Sequence, residues 1–228
     1  MFLDSMVDNL SSSIFRYDAI LGYLGSRLVT QEEIKKYRIG YSKVISVPDD
    51  GSPDRARFME ESWKGKKFED RIIFPIQDTV GRVVGIIGRS HTKKDFKEFE
   101  TEEAKFSGFF YGLYQALPRI YETGKVYVVE GTFDTHALAK VFPNTVGSLT
   151  AGLFETQHDL LSMFADRIIT VFDADKAGRE SAEKAQKRWG NVWDLNLGYK
   201  DPDECLKTLG YKGFQEYVIK KENRIFLF

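Results

Sequence analysis

The chain has 228 residues, of which 42% are hydrophobic and 29% charged, and this composition excludes a disordered protein. No apolar stretch approaches the ~18 residues that a membrane span needs, and the acidic start "MFLDSMVDNLSSS" lacks the basic flank of a secretory signal. The net charge of −1 means that a nucleic-acid partner must be held by local basic patches or through metal ions.

The single cysteine, Cys205, excludes an internal disulfide and a cysteine-based zinc site. We therefore expect no zinc in this chain. A chain without disulfides fits a reducing compartment, and we expect a cytoplasmic setting.

The first half of the chain predicts helices and a β-hairpin. In "TQEEIKKYRIGY", Thr30 and Glu33 have the spacing of a capping box, which predicts a helix from about Thr30 to Tyr37, and "IFRYDAILGYLGSR" before it is helical in pattern. Alternating apolar residues in "RIIFPIQDTVGRVVGIIGRS" predict two strands joined by a turn at "DTVG". We expect the charged "HTKKDFKEFETEEAKF" to be solvated and "FFYGLYQALPRI" to form a helix that ends near Pro118.

From Lys125 onward, strand-like and helix-like segments alternate. The strand candidates are "KVYVV", "NTVGSL", "RIITVF" and "VWDLNL", each followed by a helical or loop segment. This alternation predicts an α/β fold, a parallel sheet with helices on its faces. We place the boundary between the two parts near residue 120.

Acidic residues follow the predicted strands at the point where each strand ends. Glu130 comes after "VYVV", Asp173 and Asp175 come after "ITVF", and Asp201 and Asp203 come after the next strand and loop. Ligands of an open parallel sheet gather beyond the carboxyl ends of its strands. If the strands are neighbours, these carboxylates meet at one edge, where a divalent cation would relieve their repulsion.

Three further residues complete this pattern. Asp134 lies on the first turn of the helix that follows Glu130, where the helix dipole tolerates an acid. Gly131 and Gly178 lack side chains that would block a phosphate. Taken alone, "DAD" is more often a helix cap or a surface acid than a metal site, but the repeated order of strand and acid favours a metal site.

Acids without histidine or cysteine favour Mg²⁺ or Mn²⁺ over zinc, and phosphoryl transfer is the chemistry such ions serve.

The residues that carry this pattern also resemble a known family. "VEGTFD", "VFDADKAG" and "KDPDE" are similar to the Toprim domain of primases, topoisomerases and nucleases. Upstream, "YLGSRLVTQEEIKKYRIGY", "RIIFPIQDTVGRVVGIIGR" and "YGLYQA" resemble, in this order, the RNA-polymerase domain of bacterial DnaG-type primases, so that the resemblance covers roughly residues 20 to 210.

The resemblance implies a fold and a set of site residues. The fold is a Toprim parallel sheet flanked by helices in residues 121–228, preceded by a smaller α+β primase-specific subdomain in residues 1–120 on the template and nucleotide side. Glu130 would be a metal ligand or general base, Asp173 and Asp175 would hold the catalytic metals, and Asp134, Asp201 and Asp203 would support them.

The same resemblance implies where template and nucleotide bind. Arg71, Arg82 and Arg89 match basic positions of the primase-specific half, and the alternative is that they only line a solvated hairpin rim. Lys97 lies roughly where the family has a lysine in a short motif, and Ser107 stands where the family often has another lysine.

The activity implied by the resemblance is synthesis of short RNA primers on a single-stranded DNA template from ribonucleoside triphosphates, by two-metal nucleotidyl transfer. The zinc module and the helicase-docking domain of full-length primases have no counterpart here, so we expect a compact core from a bacterium or phage. A separate zinc module and a replicative helicase would be its partners. Two alternatives stay open: a Toprim nuclease, and a non-catalytic single-stranded-DNA-binding or replisome-docking module.

Overall fold

The computed structural model describes residues 2–43, 49–63, 67–93, 95–100 and 108–225. By its packing the chain divides into two compact units, Met1–Lys105 and Phe106–Phe228. The assignment of separate functions to residues 1–120 and 121–228 stays a prediction. Among the described residues, no helix has the length and apolar character needed to cross a lipid bilayer.

The first unit is an antiparallel sheet packed against helices. Its elements are α1 (Phe2–Ser13), α2 (Asp18–Ser26), α3 (Gln31–Lys36), β1 (Gly40–Ser42), α4 (Pro53–Phe58), β2 (Arg71–Gln77), β3 (Val83–Arg89) and β4 (Phe96–Glu100). The strand order is β1-β2-β3-β4, and β2 and β3 form the hairpin that the alternating pattern predicts. The capping box is also present, with Thr30 as the N-cap of α3 and Glu33 bonding back to its amide.

The charged segment after the hairpin differs from the prediction. Residues 96–100 form β4, which pairs with β3 along Ile86↔Phe99 and Gly88↔Lys97. Phe99 is only 3% exposed and packs in the core with Phe2 and Phe58. Burial of this side chain stabilises the strand, although the neighbouring residues are charged. Lys94 and residues 101–107 of the predicted solvated stretch lie outside the described residues.

The second unit is a parallel sheet with helices on its faces, as predicted. Its elements are α5 (Leu113–Thr123), β5 (Lys125–Val129), α6 (Thr132–Ala139), β6 (Thr145–Gly147), α7 (Glu155–Ser162), β7 (Arg167–Thr170), α8 (Lys176–Arg188), β8 (Val192–Asp194) and α9 (Pro202–Ile225). The strand order is β6-β5-β7-β8, and all three pairings are parallel. β5 and β7, the strands that precede Glu130 and Asp173, are therefore direct neighbours.

The prediction that a helix ends near Pro118 is wrong. α5 continues through Pro118 to Thr123, and Gly124 in the left-handed region terminates it. The apolar face of this helix buries Leu113, Leu117 and Ile120 in the core of the second unit, whereas Pro118 lies on the exposed face. Burial of several such side chains, at about 1.5–3 kcal/mol each, exceeds the ~3 kcal/mol that an internal proline costs.

Candidate active site

Glu130 and the Asp-Ala-Asp segment meet at the carboxyl edge of the parallel sheet. The parallel pairing continues one step past the strands, where the amide of Val171 donates to the carbonyl of Val128. Beyond this point the amide of Asp173 donates to Oε1 of Glu130 at 3.1 Å. The carboxylate of Glu130 thus contacts the backbone of the Asp-Ala-Asp segment on a different βα segment.

The environment of Glu130 favours its protonated form. Burial, followed by the charge of Asp173 and then that of Asp175, raises the pKa of Glu130 to about 7, although the hydrogen bond from the Asp173 amide opposes the rise. The amide holds the carboxylate in place while the neighbouring acids repel its charge. A cation at this point would relieve the repulsion.

Asp175 has two roles in the geometry. It is the N-cap of α8, with Oδ1 accepting the amide of Gly178 at 2.9 Å. Its charge also contributes to the raised pKa of Glu130. The sequence left open whether Asp175 is a helix cap or an acid of the site. The same residue can be both, because the cap uses Oδ1 alone.

A second group of acids gathers around Asp134 on the first turn of α6. Oδ1 of Asp134 accepts the amide of Asp203 at 3.3 Å. Burial, then the charges of Asp201 and Asp173, and last that of Asp203, raise the pKa of Asp134 to about 7. Asp201 accepts the amide of Glu204 at 2.7 Å, which caps the start of α9. The charge of Asp173 acts on both Glu130 and Asp134 and links the two groups.

The two glycines of the site are packed closely by the acids themselves, against backbone at Gly178 and against a carboxylate at Gly131. A Cβ on Gly178 would lie 2.3 Å from the carbonyl oxygen of Asp173 and 3.0 Å from Oε1 of Glu130. A Cβ on Gly131 would lie 2.6 Å from Oδ2 of Asp134. The sequence identified both positions, but it suggested space for a phosphate as the reason. A direct phosphate contact at these glycines stays a prediction.

These residues fit a hard divalent cation. The donors are all carboxylate oxygens, and burial, followed by the negative charges gathered at this edge, raises the pKa values of Glu130 and Asp134. Among the residues that the structure describes, no three His, Cys, Asp or Glu side chains form a ready-made cage for an ion. Mg²⁺ commonly takes one or two protein carboxylates and completes its shell with waters and substrate phosphates, and this donor set suits that mode.

Sequence reasoning missed Lys200, which lies next to the acids. Its Nζ contacts Oδ2 of Asp201 at 2.7 Å, and its carbonyl accepts the amide of Ala174 at 2.7 Å. The pKa of Lys200 is raised by Asp201, and to a smaller extent by Asp173 and Asp134. In the sequence, Lys200 is recognisable only as the lysine directly before "DPD". Its position at the site depends on the tertiary contact with Ala174.

Arg71 and Lys97 of the first unit share one acidic partner, Asp95. Arg71 is largely buried and contacts Asp95 at 2.7 Å, and it also donates to the carbonyls of Lys67 and Gly88. Lys97 lies 3.5 Å from the same Asp95.

The other two arginines differ in exposure. The side chain of Arg82 is 68% exposed and contacts Asp78 in the turn at 2.7 Å. Arg89 ends β3 and is half-buried. Ser107 lies outside the described residues. Contacts with template or nucleotide stay predictions for all four basic residues that the resemblance singles out, Arg71, Arg82, Arg89 and Lys97.

The parallel sheet and the acids at its carboxyl edge define a Toprim-type catalytic domain. The family model described as Toprim-like matches residues 127–206 of the chain. The DNA primase of Synechococcus elongatus is 35% identical over 172 residues, which are 68% of this chain and 24% of that protein.

Solved structures extend the likeness to nearly the whole chain. The Aquifex aeolicus primase, described as its zinc-binding and RNA-polymerase domains, matches with a TM-score of 0.76 and 25% identity over 96% of this chain and 59% of that one. A DnaG primase catalytic domain described as bound to single-stranded DNA matches with a TM-score of 0.77 and 25% identity, over 96% of this chain and 79% of that one. The chain belongs to the DnaG-type primases and corresponds to their RNA-polymerase catalytic core. It spans about a quarter to a half of the length of the curated relatives it matches.

Proposed function

We propose that this chain synthesises short RNA primers on single-stranded DNA. The observation that carries the proposal is the direct contact between Glu130 and the Asp173 segment at the carboxyl edge of the sheet. The name DNA primase given to the relative from Synechococcus elongatus supports it, as does the likeness to a catalytic domain described as bound to single-stranded DNA.

In the proposed reaction, the 3′-hydroxyl of the primer attacks the α-phosphate of a ribonucleoside triphosphate, and pyrophosphate leaves. Mg²⁺ or Mn²⁺, when bound by Glu130, Asp173 and Asp175, would shield the negative charge of the phosphates. Asp134, Asp201 and Asp203 would support this set from the neighbouring segments. Where Glu130 is not itself a metal ligand, it would instead receive the hydroxyl proton, because its pKa in the metal-free protein is about 7 and a general base works best with a pKa near the ambient pH.

The template would bind on the hairpin side of the first unit. Arg82 and Lys97 are exposed enough to contact phosphates, and Arg89 follows at the end of β3. Arg71 is mostly buried in its contacts with Asp95 and would act by holding the hairpin. Binding of this kind is held mostly through the nucleic-acid backbone and weakens with salt. A zinc-binding module and a replicative helicase are the further partners we propose for the replicating cell.

One assay tests the function against its alternatives. The protein is incubated with single-stranded DNA, ribonucleotides and Mg²⁺ or Mn²⁺, and the products are resolved by length. We expect short RNA products that Asp173→Ala abolishes and that Asp159→Ala, a change of an exposed acid on α7, leaves intact. Shortened DNA instead of RNA would indicate a nuclease, and DNA binding with neither product would indicate a docking module.

A further inference from the structure

Lys200 is a cation placed among the carboxylates of the candidate site. Its ammonium group contacts Asp201 at 2.7 Å and experiences the charges of Asp173 and Asp134. By comparison, Lys207 on α9 contacts Asp203, one turn earlier on the same helix, at 2.8 Å. Lys200 thus contacts Asp201 directly and lies near enough to the other acids to experience their charge.

The backbone of Lys200 is fixed from both sides, whereas its side chain is not enclosed. Its carbonyl accepts the amide of Ala174, which lies between the two acids of the Asp-Ala-Asp segment. Its own amide donates to Oε2 of Glu204 at 2.8 Å. The side chain is 62% exposed, so the ammonium group can change rotamer while the Cα position stays constant.

A divalent cation bound by these carboxylates would weaken the contact of Lys200 with Asp201 and favour a contact with phosphate. The cation repels the ammonium group and competes with it for Asp201. A nucleoside triphosphate brings several negative charges to the same edge, and a lysine ammonium is a compact point charge suited to phosphate.

We propose that Lys200 binds the triphosphate of the incoming ribonucleotide, and that Asp201 holds the ammonium group at the site until the nucleotide arrives. This inference rests on the proposed function, because it names the residue that recognises its substrate.

The test measures nucleotide binding without synthesis. Labelled GTP is equilibrated with the whole chain in Mn²⁺ and without template, and the dissociation constant is compared for the wild type, Lys200→Gln, Lys200→Arg and Lys187→Gln. Lys187 carries the same charge on the exposed face of α8, where it pairs with Glu183. We expect about a tenfold weaker binding for Lys200→Gln, retention for Lys200→Arg and no change for Lys187→Gln, because a charged hydrogen bond to the nucleotide is lost in the first alone.

Two controls separate recognition from structure. Binding of Mn²⁺ alone, followed by its electron paramagnetic resonance, is expected to be retained or strengthened in Lys200→Gln, since a competing cation is removed. The melting temperature is expected to stay close to that of the wild type. A loss of Mn²⁺ binding would mean that Lys200 organises the acids, and this result overturns the proposal.

The other outcomes are equally decisive. The proposal is overturned by GTP binding within twofold of the wild type in Lys200→Gln, by equal weakening in Lys187→Gln, or by a wild-type chain that binds no GTP at millimolar concentrations. A wild type that binds GTP through Lys200 but makes no RNA contradicts the proposed function and leaves the assignment of Lys200 standing.

Discussion

The backbone amide of Asp173 donates to Oε1 of Glu130 at 3.1 Å, and this contact joins residues that are 43 positions apart in the chain. It depends on the parallel pairing of β5 with β7, which brings the ends of both strands to the same edge. The amide orients Glu130, while burial and then the charge of Asp173 raise its pKa. The consequences of this arrangement can be measured.

The charge of Glu130 can be removed without removing its hydrogen bond. In Glu130→Gln, Oε1 still accepts the amide of Asp173, so the fold is expected to persist. We expect RNA synthesis to fall at least about 100-fold, because neither a metal ligand of full charge nor a proton acceptor remains. Product yield and the melting temperature are measured together, and a variant that is active at the wild-type rate would refute the assignment of Glu130.

The stability of the metal-free protein should depend on pH through Glu130 and Asp134. Both carboxyl groups have folded-state pKa values of about 7, above the ordinary values of 4.5 and 3.8. The folded state therefore binds protons more tightly than the unfolded state. Its stability is full below these ordinary values and falls as pH rises to about 7, by a few kcal/mol for the buried Asp134 and by less for Glu130, whose charge solvent partly screens.

Thermal unfolding without divalent ions, followed from acidic to mildly alkaline pH, measures this decline. The double variant Glu130→Gln, Asp134→Asn is expected to show a flatter profile. Addition of Mg²⁺ should raise the melting temperature more above pH 7 than at acidic pH, where protons compete with the ion. A profile in which the melting temperature rises with pH over this window, equally in wild type and double variant, would contradict the prediction.

The close approach at Gly178 predicts a large effect for one methyl group. In Gly178→Ala, the added Cβ would lie 2.3 Å from the carbonyl of Asp173, so α8 or the Asp-Ala-Asp segment must shift and disturb the contact with Glu130. We expect a loss of about 1–3 kcal/mol in the free energy of unfolding and loss of synthesis. The matched control is Gly190→Ala, because no heavy atom lies within 4 Å of a Cβ there. Equal stability of both variants by chemical denaturation would show that the segment tolerates displacement.

Two substitutions of Asp175 separate its cap from its charge. Asp175→Asn keeps an oxygen that accepts the amide of Gly178, so the stability of α8 should be nearly unchanged. Asp175→Ala loses the cap and should cost about 1 kcal/mol. Both are expected to lose RNA synthesis, because the charge is absent in each. Full activity in Asp175→Asn would show that Asp175 serves only as a helix cap and that its charge is not needed for RNA synthesis.

Much of the fold could be predicted from residues that are close together in the chain. The capping box at Thr30, the hairpin over residues 71–89 and the strand–helix alternation after Lys125 each depend on local spacing. The positions of the acids after the strands were predicted in the same way. Local spacing was a poor guide where distant packing intervened, as at Pro118 within α5 and at Phe99 in β4.

The order of strands and acids along the chain by itself implies a carboxylate edge, because parallel strands end at the same side of a sheet. The pKa values of Glu130 and Asp134, the contact from Lys200 to Ala174 and the burial of Arg71 could not be read from that order. They depend on desolvation and on charges from other segments, and both arise when distant parts of the chain pack together.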